Sequence, residues 1–119
     1  MDITSESSLL RIYVSSTDLV DHKPLYEHLT LEAKKEGMAG VTVLRGVMGF
    51  GASSKIHTSK FWELTEKLPM VVEIVDETEK IQLFYKKIKP MLDEIPKGIL
   101  VTMQATEVLM YKSGKKADY

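Results

Sequence analysis

The chain has 119 residues and a net charge of -1, which limits the classes of protein to which it can belong. This length corresponds to one domain with a sizeable core, and the small charge supplies no field that would attract nucleic acid or an anionic membrane. There is no cysteine, so disulfides and thiolate metal or redox sites are excluded. No apolar run has the length of a membrane span, and residues 1–8 are polar rather than signal-like. We therefore predict a cytoplasmic protein that does not insert into a membrane.

The first predicted elements are a strand and an amphipathic helix. Residues 1–8 are predicted to be a disordered tail, and residues 9–14 alternate in polarity with the period of a strand. Pro24 is suited to the first turn of a helix, and Gly37 is a typical residue at a helix end. The apolar residues between them share one helical face: Leu25, Leu29 and Ala33.

A glycine-rich segment follows the second predicted strand, which spans residues 41–48. Glycines at 46, 49 and 51 allow a turn or a close approach of another group to the main chain. The segment therefore favours either a bulge and turn or a site where backbone N–H groups bind an anion. The connection over residues 49–68 is much longer than the usual length of about four to six residues, which is typical of a functional or a mobile loop.

The second half of the chain repeats the order of the first. Pro69 opens a predicted third strand over residues 70–75, since a proline is tolerated at the first position of a strand. Apolar residues then recur at helical spacing from residue 81 to residue 95, after Asp76 and Glu79 at the spacing of a capping box. Pro90 is expected to end or kink this helix near residue 89.

The last predicted strand begins at residue 99. The alternation of apolar and polar residues along it shifts by one position near Thr106 and Glu107. Such a shift predicts a bulge there. Residues 113–119 form a predicted polar tail.

The predicted order is strand, helix, strand, strand, helix, strand, which is an α+β ferredoxin-like βαββαβ sandwich over residues 9–112. Two helices cover only one face of a four-stranded sheet. The predicted strands nevertheless carry apolar residues at both odd and even positions, and therefore on both faces. In a sheet with one face in water, apolar and polar residues alternate along each strand. We therefore predict that the second face is buried against other copies of the chain in a symmetric oligomer.

Motifs for catalysis and for metal binding are incomplete. Gly46 and Gly51 have the spacing of a phosphate loop, but Ala52 replaces its lysine. A nucleophilic serine near His57 would lack the strand–turn–helix elbow. The three histidines lie far apart without carboxylates at ligand spacing. We therefore predict no catalytic residue and no metal ligand.

Glu73 is the most informative charged residue, because a carboxylate in an apolar strand is costly to bury without a partner. One interpretation is an ion pair with a lysine or arginine of the same or a neighbouring subunit. The other is a carboxylate that orders the glycine segment or binds a ligand hydroxyl. Trp62 is interpreted as an anchor for the long loop. Four cations could bind a phosphate: Arg45, Lys55, Lys60 and Lys97.

These motifs resemble those of PII signalling proteins. Residues 37–51 are similar to the PII pattern GxxGxTVxxxxGFG, with one extra residue before the final GFG, and residues 69–75 resemble the PII strand after the loop. The run RGVMGFG is closer still to a compact PII-like branch, the domain of unknown function 190 family. The resemblance covers roughly residues 9–112.

The resemblance implies a homotrimer that binds an adenine nucleotide in clefts between subunits. It also implies that the 49–68 loop signals to a partner such as a membrane transporter or channel. Together with the cation Arg45, the positions carried over as nucleotide-binding are Thr42, Gly49, Phe50, Gly51, Glu73, Val75, Lys97 and Gly98.

Departures from the PII pattern remove positive charge. The segment before Gly98 lacks the glycine–lysine phosphate loop, and Met110 and Lys112 replace a C-terminal arginine pair. AMP or ADP is therefore expected to bind better than ATP. The alternatives are a metal-ion or small-anion binding trimer that uses His57 and Glu73, and a small hydrolase.

Overall fold

The computed structural model describes residues 1–51, the backbone of residues 57 and 58, and residues 67–114. Four strands form one antiparallel sheet in the order β4-β7-β1-β8, which confirms the predicted ferredoxin-like α+β fold. Two short ribbons pair β2 with β3 and β5 with β6. The elements are β1 (Ser7–Ser15), β2 (Leu19–Val20), β3 (Lys23–Pro24), α1 (Leu25–Lys35), β4 (Val41–Arg45), β5 (Met48–Gly49), β6 (His57–Thr58), β7 (Pro69–Glu77), α2 (Thr78–Glu94) and β8 (Leu100–Thr106).

Both helices cover the same face of the sheet. Helix α1 packs on β4 and β7, and α2 packs on β7 and β1. Every second residue of the central strands points into this layer, as the period of a strand requires. Burying one large apolar side chain there stabilises the fold by about 1.5–3 kcal/mol. The buried core comprises Leu10, Ile12, Val14, Leu25, Leu29, Ala33, Met70, Val72, Ile74, Ile81, Phe84, Ile88 and Leu92.

Strand β1 starts two residues before its predicted beginning at residue 9. Ser7 and Ser8 are buried, and the hydroxyls of Ser8 and Thr78 lie 2.7 Å apart. The backbone N–H of Thr78 also donates to the carbonyl of Glu6 at 2.9 Å. These hydrogen bonds satisfy the polar groups of this segment, whose polar sequence by itself predicted a disordered tail. The predicted strand start was therefore wrong.

Asp76 does not cap the helix that follows it. The residue before α2 is Glu77, and it makes no side-chain capping bond. The Asp76 carboxylate is instead fully buried and accepts hydrogen bonds from Ala39 N–H at 2.8 Å and Glu77 N–H at 2.7 Å. Lys80 lies 3.6 Å from it and donates to the carbonyl of Gly37. The predicted capping box was wrong, because a partner from another part of the chain binds the carboxylate.

Helix α2 continues through Pro90 to Glu94, so of the two outcomes predicted for Pro90, an end or a kink, the end near residue 89 was wrong. A proline removes one backbone donor, but Ile88 and Leu92 on either side of it are buried in the core. Their packing keeps the last turns helical. Residue 37 was predicted correctly as the helix end, since Gly37 follows α1 with a φ of 76°.

Strand β8 ends at Thr106, and the predicted bulge near Thr106 or Glu107 was wrong. The last registered pair joins Thr106 to Ser7, where β1 itself begins. Among the described residues, no strand pairs with β8 beyond this point. The apolar residues Leu109 and Met110 follow outside the strand and are exposed.

Part of the long connection lies outside the described residues. The predicted turn of helix over residues 59–64, with Trp62, belongs to that part, and so do the serines at 53 and 54 and the lysines at 55 and 60.

Candidate functional site

The glycine segment begins with a close contact between two strands. The backbone N–H of Gly46 donates to the carbonyl of Pro69 at 2.7 Å. A Cβ atom at position 46 would lie 2.6 Å from Pro69 Cγ, so a side chain cannot be placed there without displacing the proline. The predicted strand over residues 41–48 is therefore interrupted after Arg45. Met48 and Gly49 pair separately with residues 57 and 58.

A cleft of about 570 Å³ opens at the end of the sheet where β1 ends and β7 begins. Its size lies within the range of pockets for small molecules, about 300–1,000 Å³. Four segments line it: the end of β1 with the following turn, the glycine segment, the start of β7, and the residues that lead into β8. The lining residues are Tyr13, Val14, Ser15, Thr17, Asp18, Met48, Gly49, Phe50, Gly51, Lys67, Leu68, Pro69, Lys97, Gly98, Ile99 and Leu100.

The cleft combines apolar surface with a few charges. Met48, Phe50 and Ile99 supply apolar side chains, and Lys67 and Lys97 supply two exposed cations. This is the general composition of a small-molecule site, in which polar groups orient a ligand that apolar surface holds.

Five of the nine predicted site residues line this cleft together. They come from two segments that are far apart in sequence: Gly49, Phe50, Gly51, Lys97 and Gly98. The fold thus places the glycine segment and the residues before β8 around one cavity.

The other four predicted site residues lie elsewhere in the single chain. Thr42 lies directly opposite Glu73 in the β4–β7 register, and Val75 lies opposite Leu9. They lie on the face of the sheet that the helices do not cover, which we call the open face. Arg45 ends β4 and is exposed.

Glu73 forms an ion pair within its own chain. Arg11 Nε donates to Glu73 Oε2 at 2.7 Å, and this hydrogen bond raises the pKa of the Arg11 guanidinium above its usual value. The strand registers place Thr42 and Thr102 beside this pair, so one polar row crosses the open face. The interpretation of Glu73 as half of an ion pair is therefore confirmed.

Apolar residues flank this polar row on both sides. Leu9 and Val75 form one pair next to it. The row on the other side crosses all four strands and ends in two exposed leucines, Leu44 at 48% and Leu100 at 56%. Its members are Leu44, Val71, Tyr13 and Leu100. The last two also line the cleft.

Sequence reasoning missed two charged residues. Arg11 is the partner of Glu73, and its charge within an alternating apolar strand was the available signal. Asp18, which follows the first predicted strand, is buried and lines the cleft. Asp18 Oδ2 accepts from Ser15 N–H at 2.9 Å, and the Asp18 carbonyl accepts from Leu25 N–H at 2.7 Å.

No group of three or more metal-ligating side chains occurs within residues 1–51 and 67–114. The side chain of His57, which the metal alternative requires, lies outside the described residues, and Glu73 is already bound to Arg11. Among the helices that the structure describes, none is long and apolar enough to cross a membrane.

Solved structures with a similar fold include PII-like proteins. A PII-like signalling protein of Thermus thermophilus aligns with a TM-score of 0.62 at 14% identity and covers 87% of this chain and 90% of that one. CPII of Thiomonas intermedia, a nitrogen regulatory PII-like protein bound to ADP, AMP and bicarbonate, aligns with a TM-score of 0.59 and the same identity and coverage. The divalent ion tolerance protein CutA1 of Ehrlichia chaffeensis aligns with a TM-score of 0.56 at 8% identity, covering 90% and 87%. The fold is therefore PII-like.

Sequence comparison identifies the family. The family model DUF190, described as uncharacterized ACR, matches residues 7–108. A UPF0166 protein of Aquifex aeolicus is 38% identical over 104 residues, which cover 87% of this chain and 94% of that protein. A UPF0166 protein of Methanocaldococcus jannaschii is 29% identical over 109 residues, 90% and 94% of the two chains. The chain belongs to the DUF190 family, as the sequence motifs predicted, and its fold is PII-like.

Proposed function

We propose that the protein is a non-catalytic regulator that binds an adenine nucleotide, with AMP or ADP favoured over ATP. The nucleotide binds in the cleft at the end of β1, within a homotrimer whose neighbouring subunit completes the site. The 49–68 loop then signals the bound state to a partner such as a membrane transporter or channel. One observation carries the proposal: the Gly49–Gly51 segment and the Lys97–Gly98 segment line the same cavity.

The chemistry of the cleft supports a nucleotide. Apolar side chains such as Phe50 and Ile99 offer a surface for a base, and Lys67 and Lys97 offer cations for a phosphate. A hydrogen bond to a charged group contributes about 1.5–3 kcal/mol. Two exposed lysines balance the charge of a monophosphate or diphosphate better than that of a triphosphate.

The open face supports the trimer. Its apolar rows contain half-buried and exposed side chains that a partner surface would cover. Thr42, Glu73 and Val75 lie on this face, so they reach a nucleotide only at a boundary between subunits. The CPII structure, whose protein is bound to ADP and AMP, supports the view that this fold accommodates adenine nucleotides.

The test is calorimetry with AMP, ADP and ATP, combined with the substitution Gly51→Val. Gly51 lines the cleft, and among the described residues nothing lies within 4 Å of a Cβ atom built there, so a valine adds bulk at the cleft wall without disturbing the described core. We expect Gly51→Val to abolish AMP and ADP binding while the mass and the melting temperature stay unchanged.

The matched control is Gly40→Val. A Cβ atom at Gly40 also meets nothing within 4 Å among the described residues, and Gly40 does not line the cleft. This variant should bind AMP as the unaltered chain does. A folded trimer that binds neither AMP nor ADP would refute the proposal.

A further inference from the structure

The cleft also contains a buried carboxylate, and the binding of a phosphate by the two lysines does not account for its presence there. Asp18 is only 3% exposed, and it is the one acid among the described residues that line the cavity. Its Oδ2 atom accepts from Ser15 N–H at 2.9 Å. Within the described part of the chain, no other hydrogen bond to this carboxylate is formed, and Asp18 lines the cleft. The carboxylate therefore has acceptor capacity left for a ligand in the cleft.

The sheet order places Asp18 between the two other walls of the cavity. Asp18 follows β1, which lies between β7 and β8 in the sheet. The glycine segment lies on the β7 side, where Gly46 contacts Pro69. Lys97 and Gly98 lead into β8 on the other side. A ligand that touches both walls passes the turn that carries Asp18.

The charge of Asp18 decides which part of a nucleotide can lie beside it. A carboxylate repels a phosphate, and it accepts hydrogen bonds from hydroxyl groups. The part of a nucleotide between base and phosphate is the ribose, which carries two neighbouring hydroxyls. An acidic residue that binds a ribose hydroxyl is an established arrangement in dinucleotide-binding folds.

We propose that Asp18 accepts a hydrogen bond from a ribose hydroxyl of the bound nucleotide and makes the site selective for ribonucleotides over their deoxy forms. This inference rests on the proposed function and adds a specificity-determining residue to it. A bound deoxynucleotide would cover this carboxylate oxygen without giving it a donor, and sites that bind a hydroxyl discriminate strongly against analogues that lack it.

The turn alone accounts for only part of this arrangement. The bonds among Ser15, Asp18 and Leu25 close the turn and explain the burial of the side chain. They use one carboxylate oxygen and do not require a charge. Asparagine in place of Asp18 retains an oxygen that can accept from Ser15 N–H, so Asp18→Asn tests the charge while preserving the turn.

The experiment is calorimetry with AMP, 2′-deoxy-AMP and 3′-deoxy-AMP on the full chain and on Asp18→Asn. We expect the unaltered chain to bind one of the deoxy forms at least about tenfold more weakly than AMP. Asp18→Asn should bind AMP about as weakly as that deoxy form, so that the ratio between the two ligands approaches one. Such a cycle isolates the contact between the carboxylate and the hydroxyl.

The matched control is Asp21→Asn, which removes the same charge from the following ribbon. Asp21 is exposed, has a φ of 50° that asparagine tolerates, and does not line the cleft. This variant should retain the full preference for AMP.

Two results would overturn the inference while leaving the proposed function intact. The first is an unaltered chain that binds AMP and both deoxy forms within about twofold, which needs no folded variant. The second is Asp18→Asn retaining the full preference for AMP over the deoxy form. If the unaltered chain binds no adenine nucleotide at all, the proposed function itself fails.

Discussion

The two faces of the central sheet are built from the same strands, yet they differ in how far the single chain completes them. On the helix-covered face, Leu10 and Ile12 are almost fully buried. On the open face, the neighbouring residues Leu9 and Tyr13 are only half-buried. The first face is finished by the chain's own helices and determines the fold. The second retains apolar surface and is therefore available for association and binding.

Strand β7 shows the same contrast with two carboxylates. Asp76 points into the covered face, where two backbone N–H groups and a lysine surround it. Glu73 points to the open face and has a single described partner, Arg11, in a pair that solvent still reaches. Charges on the covered face are therefore part of the architecture, while those on the open face can serve an interface.

The largest expected difference between the faces comes from one substitution at two adjacent leucines. Leu10→Ala removes a buried side chain and should lower the free energy of unfolding by about 2–5 kcal/mol. Leu9→Ala should lower it by less than half as much in the monomer, because Leu9 is already partly hydrated. Urea denaturation at low protein concentration measures both. Equal losses would contradict the assignment of the two faces.

A smaller difference is expected between the two carboxylates. Asp76→Asn replaces one acceptor with a donor that faces a backbone N–H, so the free energy of unfolding should fall by about 1–3 kcal/mol. Glu73→Gln should change it far less, since water can replace a half-exposed ion pair. Denaturation at neutral pH compares the variants. A larger loss for Glu73→Gln than for Asp76→Asn would reverse the comparison.

The smallest effect on monomer stability is expected for Val71→Glu on the open face. This substitution should instead lower the mass of the particle in solution, because it weakens association between subunits. A carboxylate placed in an apolar row cannot be desolvated without a partner, so association should weaken. Sedimentation should then show monomers with an unchanged far-ultraviolet spectrum. The control is Leu83→Glu, which alters an exposed leucine of α2 away from this face. A trimer that survives Val71→Glu would show that the open face is not the interface.

The covered face could be predicted from sequence because its signal is local and periodic. Leu25, Leu29 and Ala33 repeat at the spacing of a helix, and Val72 and Ile74 at the spacing of a strand. The errors occurred where a distant residue decides the outcome. Asp76 binds Ala39, and Pro90 is held in its helix by the packing of residues on either side.

The candidate site was predictable only in part for the same reason. The glycine motif identified Gly49 and Gly51, and the cleft contains both. That Lys97 would line the same cavity followed from resemblance to a family rather than from spacing. The burial of Asp18 carried no sequence signal, because aspartate after a strand is common in exposed turns.

The hydrogen bond between Gly46 and Pro69 has a consequence for how the protein could be altered. It holds together the two points at which the chain leaves and re-enters the sheet, and Leu68 beside it is buried and hydrogen-bonded to Ser16, so residues 47–67 begin and end at one fixed junction. The entropy of closing such an excursion changes by only about 0.6 kcal/mol when its length doubles. The sheet should therefore tolerate replacement of this excursion by segments of other lengths, which makes the junction a natural place for grafting new recognition sequences.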